Sequence, residues 1–448
     1  MDRRILREYD IRGIVDDDVT EPVAHELGGS YGTYMVRKGA HRVAAGRDGR
    51  LSSERLHRAI VDGILSTGIN VIDVGLCPTP VLYFSLFNLD IDGAIMVTGS
   101  HNPPEFNGFK VCVGKSTIYG DEIQKLGDIA ESGDFAHGKG SLASHDAVKD
   151  YTRYLHKNIR IPQRLNVVVD AGNGVAGFVA APVIRDLGCE VKALYCEVDG
   201  HFPNHHPDPT IPKNLDDLIA EVKRSSAPLG LAYDGDGDRL GVVDDRGDII
   251  WGDRLMIIFS RAILQEHPGA TIIGEVKCSQ HLYEDIEQHG GKGIMWKTGH
   301  SLIKSKMKEE GALLAGEMSG HLFFADRYFG YDDAIYASLR LLEIIARTGK
   351  SPRELIADVP KSFITPEIRV DCSEEKKFDI VERAKEFFKT RYKVYDIDGA
   401  RITFPHGWGL VRASNTQPVL VMRFEADSQE HLEEIRALVE SKVAELST

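Results

Sequence analysis

Short apolar runs bounded by turn residues recur along about the first 360 residues, and they have the length and composition of β-strands. Three such runs separated by helix-compatible stretches form a βαβαβ unit, which occurs three times in succession. The predicted strands are 41–45, 69–74 and 92–97 in the first unit, 165–169, 190–195 and 229–233 in the second, and 270–276, 293–296 and 312–315 in the third. The pattern therefore predicts three α/β units in series.

The predicted strands are apolar without alternation, as in the strings VVVD, AIMV and TIIG. Strands that are buried on both faces of a parallel sheet have this composition. Ligands of such sheets bind beyond the carboxyl ends of the strands. The third strand of each unit leads directly into a polar loop, at 98–103, 234–239 and 317–321. We therefore expect the chemistry of the protein in these three loops.

The order of elements changes after about residue 360. The predicted elements there are a strand at 368–370, a helix at 376–389, strands at 401–404, 409–411 and 419–424, and a final helix. This order is typical of an α+β unit. A fourth polar loop, 412–416, lies between the last two of these strands.

The final helix has recognisable start and packing signals. Asp427 is the expected N-cap, with Glu430 three residues later. The expected buried stripe of this helix is Leu432, Ile435, Leu438 and Val439.

Composition and charge narrow the possible functions. Hydrophobic residues make up 42% and charged residues 27% of the chain, as in ordinary folded proteins, so several cores can form. The 68 acidic and 54 basic residues give a net charge of −14, which argues against nonspecific binding to DNA or RNA. An anionic ligand must therefore be attracted by a local cluster of Arg, Lys or a metal ion.

No segment has the pattern of a secretion signal or a membrane span. The first 14 residues, MDRRILREYDIRGI, carry charges where a signal peptide has an apolar stretch. No later run approaches the ~18 apolar residues of a membrane span. The six cysteines are spaced without a CxxC motif, which favours reduced and mostly buried thiols. We expect a cytoplasmic protein with neither a membrane nor a nucleic-acid partner.

The loop DGDGDR brings three carboxylates together at alternate positions, Asp234, Asp236 and Asp238. These groups repel one another unless a positive charge lies among them, and a hard divalent cation with oxygen ligands is the simplest solution. An EF-hand is excluded because its sixth and twelfth positions would be Arg239 and Asp245 instead of Gly and Glu. An exposed acidic turn is the alternative.

Ser100 directly follows a predicted buried strand and precedes His101 in a loop stiffened by Pro103 and Pro104. This position could present a nucleophilic hydroxyl at the edge of the sheet. The G-x-S-x-G elbow of α/β-hydrolases is absent, and a serine in a turn more often makes local hydrogen bonds. The residue by itself therefore favours the structural interpretation.

The fourth loop is rich in hydrogen-bond donors. Arg412, Ser414, Asn415 and Thr416 supply a guanidinium, two hydroxyls and an amide, which suit the oxygens of a phosphate. An ordinary hairpin turn can contain the same residues.

In the third loop, Glu317, Ser319 and His321 alternate with Met318 and Gly320, so the three polar side chains can face one side. That arrangement suits the hydroxyls of a sugar. A solvated turn would have the same sequence.

A formal dinucleotide-binding fingerprint occurs at 172–177, GNGVAG, with Glu197 20 residues beyond Gly177. It would imply a dehydrogenase. Asp170 argues against this interpretation because it places a carboxylate immediately before the loop that would receive a pyrophosphate. Close packing between a helix and a strand is the preferred explanation of the glycines.

Taken together, the strings TGSHNPPEFNGFK, DGDGDR, GEMSGH and RASNT, in that order and each at a strand end, resemble the α-D-phosphohexomutase superfamily. YDIRG (9–13), GRDGR (46–50) and WKTGHS (296–301) are also similar to that family. The resemblance spans nearly the whole chain and is strongest to the bacterial phosphomannomutase/phosphoglucomutase branch.

The resemblance implies three tandem mixed-sheet α/β domains and a smaller α+β domain around a central cleft. We expect them at 1–145, with the phosphoserine loop, 146–248, with the metal-binding loop, 249–360, with the sugar-binding loop, and 361–448, with the phosphate-binding loop. A monomer is the expected state.

The resemblance also implies roles for individual residues. The implied catalytic residues are Ser100, His101, Lys110, Arg239, His300 and His321. The implied substrate-binding residues are Tyr9, Arg12, Lys277, Glu317, Ser319, Arg412, Ser414, Asn415 and Thr416. One Mg²⁺ per chain is implied at Ser100, Asp234, Asp236 and Asp238. Gln417, next to the phosphate loop, departs from the small or acidic residue of many relatives.

The implied activity is the interconversion of hexose 1-phosphate and hexose 6-phosphate, for mannose and glucose, through a phosphoserine enzyme. Hexose 1,6-bisphosphate is the implied intermediate and activator, and sugar phosphates are the partners. Lys110, His300 and His321 all remain candidates for the general base. The alternatives are an NAD(P)-dependent oxidoreductase that uses the loop 172–177 and a noncatalytic phosphosugar sensor.

Overall fold

The computed structural model describes residues 1–414 and 418–447. Its helices pack on four β-sheets that follow one another along the chain. Three α/β units precede a smaller α+β unit, so the predicted fold class is confirmed. Each strand and helix whose bounds were predicted is present, with ends displaced by at most two residues.

The first unit is built on the largest sheet. Its strands are β1 (Ile11–Ile14), β2 (Arg42–Arg47), β3 (Asn70–Leu76), β4 (Gly93–Val97), β5 (Phe106–Val113), β6 (Ser116–Thr117) and β7 (Leu142–Ser144). Its helices are α1 (Glu21–Arg37), α2 (Ser53–Leu65), α3 (Thr79–Asn88) and α4 (Asp121–Ser132). The strand order is β1-β5-β4-β2-β3-β7, and β6 pairs with β5.

The second unit contains a five-stranded sheet. Its helices are α5 (Ala147–Asn158), α6 (Gly177–Asp186) and α7 (Asp216–Ser225), and its strands are β8 (Asn166–Asp170), β9 (Glu190–Leu194), β10 (Leu229–Tyr233), β11 (Leu240–Asp244) and β12 (Ile249–Ile250). The strand order is β12-β11-β10-β8-β9.

The third unit contains a four-stranded sheet. Its helices are α8 (Gly252–Glu266), α9 (Gln280–Gln288), α10 (His300–Glu310), α11 (Ala334–Thr348) and α12 (Pro352–Leu355), and its strands are β13 (Thr271–Glu275), β14 (Lys292–Trp296), β15 (Leu314–Gly316) and β16 (Leu322–Phe324). The strand order is β14-β13-β15-β16.

The C-terminal unit packs two helices on an antiparallel sheet. The strands are β17 (Phe363–Ile364), β18 (Ile368–Asp371), β19 (Lys393–Tyr395), β20 (Ala400–Phe404), β21 (Gly407–Ala413) and β22 (Val419–Ala426), and the helices are α13 (Glu374–Lys389) and α14 (Gln429–Ser447). The order is β17-β22-β21-β20-β19, and β18 also pairs with β22.

Each of the first three polar loops is the turn of a hairpin. The parallel strands β4, β10 and β15 are followed by the antiparallel strands β5, β11 and β16, respectively. The sequence analysis did not predict β5, β11 and β16. Because both ends of each loop are held in a sheet, the polar side chains have fixed positions.

The core consists of several buried clusters, of which one joins the first three units and another lies within the first unit alone. One continuous buried cluster runs through the first three units and includes Tyr83, Tyr151, Tyr233 and Tyr336. The C-terminal unit has its own core. A smaller cluster of Val276, Trp408 and Leu410 joins β21 to the end of β13.

The final helix corrects two predictions. It begins at Gln429, and Ser428 Oγ accepts from the His431 backbone N–H at 3.2 Å, so Ser428 is the N-cap instead of Asp427. Leu438 is 40% exposed and lies outside the buried stripe. Within the part of the chain that the structure describes, no helix combines the length and apolar character needed to cross a membrane.

Candidate active site

Ser100 lies in the turn after β4 in a left-handed conformation, with φ = 48°. A non-glycine residue in that region is uncommon and is often found where function fixes the backbone. Its Oγ donates to Asp234 Oδ2 at 3.0 Å and lies 3.1 Å from His101 Nδ1. Burial and the charge of Arg239 hold the pKa of His101 well below its ordinary value, so this imidazole is neutral. The hydroxyl therefore faces the acidic loop of the second unit.

The serine loop is held by two buried residues that follow β2, Asp48 and Arg50. The Arg50 guanidinium donates to four backbone carbonyls, those of Ser100 (2.8 Å), Asn102 (2.5 Å), Pro103 (2.6 Å) and Phe106 (2.9 Å). Asp48 Oδ2 accepts from Thr98 Oγ1 at 2.8 Å and from the Gly99 N–H at 3.1 Å. Sequence reasoning noticed these residues only as part of the GRDGR string. Their position at the end of a parallel strand, next to the serine loop, was the available signal.

The acidic loop is completely buried, which rules out an exposed turn. Asp234, Asp236 and Asp238 each have 0% exposure. One carboxylate oxygen from each lies within 4.8 Å of the others. Asp234 Oδ1 accepts from three backbone N–H groups, those of Gly237, Asp238 and Arg239. The loop thus points three carboxylates inward.

The charges of this loop are incompletely balanced by the protein. Burial, with the charges of Asp238 and Asp236, raises the pKa of Asp234 well above its ordinary value. Lys110 from β5 donates to Asp236 at 2.7 Å and also to Asp238. Among residues 1–414 and 418–447, Asp236 Oδ1 has no hydrogen-bond partner although it is buried. A buried oxygen without a partner in a set of hard oxygen donors fits a divalent cation such as Mg²⁺.

The third polar loop, 317–321, packs against the acidic loop. Arg239 and His321 form a backbone bridge, and the Leu240 N–H donates to the Gly320 carbonyl at 3.0 Å. His321 Nε2 lies 3.2 Å from Asp238 Oδ1, and its Nδ1 lies 2.6 Å from Glu317 Oε2. Burial opposes the charged imidazole, but Asp238 and Glu317 raise the pKa of His321 to about 9. This histidine therefore lies between two carboxylates, and Arg239 Nε also approaches its Nε2 at 3.3 Å.

Glu317 is the centre of the third loop. It accepts from the Gly299 N–H at 2.7 Å and from Ser319 Oγ at 3.2 Å, in addition to His321. Burial would raise its pKa, but His321 and Lys277 lower it to about 2. Glu317 and His321 are buried and Ser319 is half-buried beside them, so the interpretation as a solvated turn is wrong.

Arg412 and Lys277 are both buried and paired with carboxylates. Asp398 Oδ2 accepts from Arg412 Nε at 3.1 Å and from the Thr298 backbone N–H at 3.1 Å, which ties the C-terminal unit to the third unit. Lys277 Nζ donates to Glu367 at 3.1 Å. Burial would lower the pKa of Lys277, but Glu367 and Glu275 raise it overall, so the ammonium stays charged.

The remainder of the fourth loop is only partly described. Ser414 is buried, and its carbonyl accepts from Lys377 Nζ at 2.5 Å. The expected phosphate ligands Asn415 and Thr416, like Gln417, lie outside the described residues.

Tyr9 and Arg12, which were expected in the site from the first unit, lie next to the start of α10 and next to the serine loop. Tyr9 donates its hydroxyl to the Thr298 carbonyl at 3.0 Å, and its ring lies edge-on to His300 with 6.4 Å between centroids. Arg12 donates to Asn102 Oδ1 at 2.8 Å, beside the serine loop. Every candidate site residue within the described ranges therefore lies on one of the four loops or next to one.

His300 begins α10, and its ring centroid is 5.8 Å from that of His321. Burial and the charges of Lys304 and Lys110 hold the pKa of His300 well below its ordinary value. Its Nδ1 lies 3.6 Å from Asp332 Oδ2, and both atoms are buried without a hydrogen-bond partner in the described chain. The pKa values of the two neighbouring histidines are thus shifted in opposite directions.

Sequence reasoning also missed a carboxylate that connects several parts of the site. Glu275, at the end of β13, is fully buried and accepts from the Lys277 N–H (2.7 Å), Thr298 Oγ1 (2.9 Å) and the Met318 N–H (3.3 Å). It links the third loop to Lys277 and to Thr298. Its place at the carboxyl end of a parallel strand was the signal that could have identified it.

The glycine loop 172–177 is filled by the protein itself. A Cβ atom at Gly174 would lie 2.8 Å from the Gly235 carbonyl oxygen, and one at Gly177 would lie 2.5 Å from the Cys196 carbonyl oxygen. The glycines therefore allow close backbone packing, as expected, but the partners are the acidic loop and the segment after β9 instead of a strand. Nothing in this arrangement supports the oxidoreductase alternative.

Four family models of phosphoglucomutase/phosphomannomutase match the chain: alpha/beta/alpha domain I at residues 3–137, domain II at 149–247, domain III at 251–363 and the C-terminal domain at 367–442. The chain is 48% identical over 440 residues to a phosphomannomutase/phosphoglucomutase from Pseudomonas aeruginosa, covering 98% of this chain and 95% of the relative. A phosphoglucomutase from Neisseria gonorrhoeae is 46% identical over 448 residues, covering 98% and 97%.

Among solved structures, a phosphoglucomutase/phosphomannomutase family protein from Burkholderia thailandensis matches with a TM-score of 0.94 and 43% identity, covering 100% of this chain and 98% of that one. The models account for four successive parts of the chain, and each part contains one of the loops described above. The chain belongs to the phosphoglucomutase/phosphomannomutase family.

Proposed function

We propose that this chain interconverts the 1-phosphates and 6-phosphates of glucose and mannose through a phosphoserine at Ser100 and a hexose 1,6-bisphosphate. The observation that carries the proposal is the position of Ser100 Oγ, 3.0 Å from Asp234 within a buried set of three carboxylates and Lys110. Phosphoryl transfer depends mainly on positioning and on neutralising the charge of the moving group. The fixed position of Ser100 Oγ and the charge of Lys110 supply both.

The reaction consists of two transfers in opposite directions. In the first, the bond between phosphorus and Ser100 Oγ breaks, a bond to the free sugar hydroxyl forms, and the hydroxyl proton passes to a side chain of the site. The bisphosphate then turns over. In the second, its other phosphoryl group moves to Ser100 Oγ, and the sugar oxygen that it leaves takes up a proton. The enzyme is phosphorylated again at the end of each cycle.

Asp234, Asp236, Asp238 and the oxygen at Ser100 would hold Mg²⁺. When bound, the ion neutralises charge on the transferring phosphoryl group. Lys110 already contacts two of the three carboxylates, and its charged form is favoured there although burial opposes it. Arg239 adds a second positive charge next to the third loop, where its backbone pairs with that of His321.

Proton transfer is assigned to the pair of His300 and His321. The neutral imidazole of His300 can accept a proton, and the charged imidazole of His321 can donate one. Because the two transfers run in opposite directions, the site needs both an acid and a base. Lys110 is less suited to accept a proton because two carboxylates hold it in the charged form.

The phosphate that does not react is assigned to Arg412, Ser414 and Lys277, together with Asn415 and Thr416. The sugar is assigned to Glu317 and Ser319. If these two residues hold the 3- and 4-hydroxyls, glucose and mannose present the same groups because they differ only at C2. An epimer that leaves the buried Glu317 unpaired would be rejected more strongly.

The direct test is the phosphorylation state of Ser100. Incubation with glucose 1,6-bisphosphate and Mg²⁺, followed by peptide mapping, should place one phosphate on the peptide that contains Ser100. Ser100→Ala should lose this label and nearly all turnover, whereas the exposed Ser132→Ala should keep both. Turnover by Ser100→Ala within tenfold of wild type would contradict the mechanism. Substrate binding without turnover by the wild type would favour the phosphosugar sensor.

We also propose the domain divisions 1–145, 146–248, 249–360 and 361–448, because each span contains one sheet, apart from β12, which begins at residue 249.

We propose a monomer, because a single chain supplies all four loops of the site. Sedimentation velocity with and without glucose 1-phosphate would test this, and a stable dimer would overturn it.

A further inference from the structure

Two histidines and an aspartate converge on the surface of the C-terminal unit, away from the four loops. His406 lies in the turn between β20 and β21, Asp427 follows β22, and His431 lies in the first turn of α14. Arg412 is six residues along β21 from His406, a separation of roughly 20 Å in an extended strand. The cluster is therefore distinct from the proposed catalytic site.

The two imidazoles share one carboxylate. His406 Nδ1 lies 3.0 Å from Asp427 Oδ2, and His431 Nδ1 lies 2.5 Å from Asp427 Oδ1. The rings are stacked with 3.9 Å between centroids and 9° between planes, so one ring must turn about its Cβ–Cγ bond before both can bind one ion in their ring planes, and the side chain of His406, 53% exposed, has room to do so. One donor atom from each of the three residues lies within 4.8 Å of the others.

Asp427 is available for this role because Ser428 caps the helix. The backbone holds the cluster in place: the Asp427 N–H donates to the His406 carbonyl at 3.1 Å, and the His431 N–H donates to Ser428 Oγ at 3.2 Å. Three potential ligands are thus fixed by a hairpin turn, a strand end and a helix start. Sites built on such elements are better defined than sites on free loops.

We propose that His406, Asp427 and His431 bind a divalent transition-metal ion of the Zn²⁺ class. Imidazole nitrogen suits Zn²⁺, Ni²⁺ and Cu²⁺, whereas Mg²⁺ prefers oxygen ligands throughout. Two nitrogens and one carboxylate, with water in the remaining position, make a familiar ligand set for Zn²⁺.

The charges around the cluster favour a cation. The carboxylates of Glu430 and Glu434 act on the charge of His431, so together with Asp427 they surround the cluster with negative charge. On metal binding, the proton of each neutral ring moves from Nδ1 to the other nitrogen through solvent. A ring that carries two protons releases one. The bound ion would then link the β20–β21 turn to the start of α14 and stabilise the C-terminal unit.

The test uses the full chain, freed of metals with EDTA and then kept in excess Mg²⁺ to occupy the aspartate loop. Titration with ZnCl₂ by calorimetry should show one Zn²⁺ bound per chain and a rise in Tm. His406→Gln and His431→Gln should each weaken Zn²⁺ binding by at least ~10-fold, since even outer partners of metal ligands cost ~10–100-fold. The matched control is His267→Gln, which changes an exposed histidine in the third unit and should bind as wild type does.

The double variant His406→Gln/His431→Gln separates this site from the catalytic aspartates. Zn²⁺ that binds to the aspartate loop appears equally in wild type and in the double variant, so only the difference between them belongs to the cluster. A loss of one bound Zn²⁺ and of the rise in Tm supports the proposal. Equal Zn²⁺ uptake by the two proteins overturns it, as does an equal loss in His267→Gln.

Discussion

Replacement of Arg412 by alanine tests whether this buried guanidinium binds the phosphate that does not react. A charge-assisted hydrogen bond to phosphate contributes roughly 1.5–3 kcal/mol. At about 1.4 kcal/mol per factor of ten, its loss should raise KM by about 10- to 150-fold. In the proposed cycle both ends of the bisphosphate use this contact in turn, so the intermediate should also escape more often.

The geometry predicts a second effect, which involves Asp398. In the wild type its carboxylate accepts from Arg412 and from the Thr298 N–H. Arg412→Ala leaves that carboxylate without its cation, next to an incoming phosphate of the same sign. The double variant Arg412→Ala/Asp398→Asn removes the repulsion, so its KM should be lower than that of Arg412→Ala by about 3-fold or more.

Steady-state kinetics with glucose 1-phosphate, with the released bisphosphate quantified, would measure both effects. Arg383→Ala is the matched control, because Arg383 makes an exposed ion pair on α13 of the same unit and its loss should leave KM within twofold. An unchanged KM in Arg412→Ala would refute the assignment of this residue to the phosphate. A double variant weaker than Arg412→Ala would refute the argument about Asp398.

Two other substitutions test the metal site and the buried carboxylate of Asp333. Asp236→Asn should lower turnover by ~100-fold or more and raise the Mg²⁺ concentration for half-maximal activity by ~10-fold or more. Mg²⁺ titrations of the activity of this variant and of the exposed control Asp248→Asn measure both effects. Equal responses of the two variants would contradict the prediction. Burial is the main cause that raises the pKa of Asp333 from 3.8 to about 6, so the folded state binds an additional proton between these values and loses stability as the pH rises through them. Asp333→Asn lacks this titration, so its stability relative to wild type should rise by up to about 3 kcal/mol between pH 4 and pH 7. Urea unfolding at both pH values tests this, and a constant difference would refute it.

The parts of this structure that depend on nearby residues could be predicted from the sequence. Continuous apolar runs located the parallel strands, and the polar residues after β4, β10 and β15 located the loops. The cap of α14 was assigned wrongly because Asp427 and Ser428 are adjacent capping residues and only the geometry decides between them.

The contacts that hold the site together are long-range, and a single sequence does not encode them in a readable pattern. Arg50 lies 50 or more positions before the carbonyls that it binds. Asp398 is separated from Thr298 by 100 positions, and Glu367 from Lys277 by 90. Arg50, Asp398 and Glu367 are ordinary polar residues until the four units pack together, which explains why no role was predicted for them.

These long-range partners also change how the positive charge of the site acts. Lys110, Arg412 and Lys277 are each paired with a carboxylate before any phosphate arrives. The carboxylates keep buried donors charged and correctly oriented, and they also reduce the net attraction for a phosphate. A mutase needs this compromise because its bisphosphate must release both ends, turn over and bind again before the second transfer. Unpaired cations would bind the intermediate too tightly for it to turn. Without a positive cluster, however, a chain of net charge −14 would not retain the intermediate.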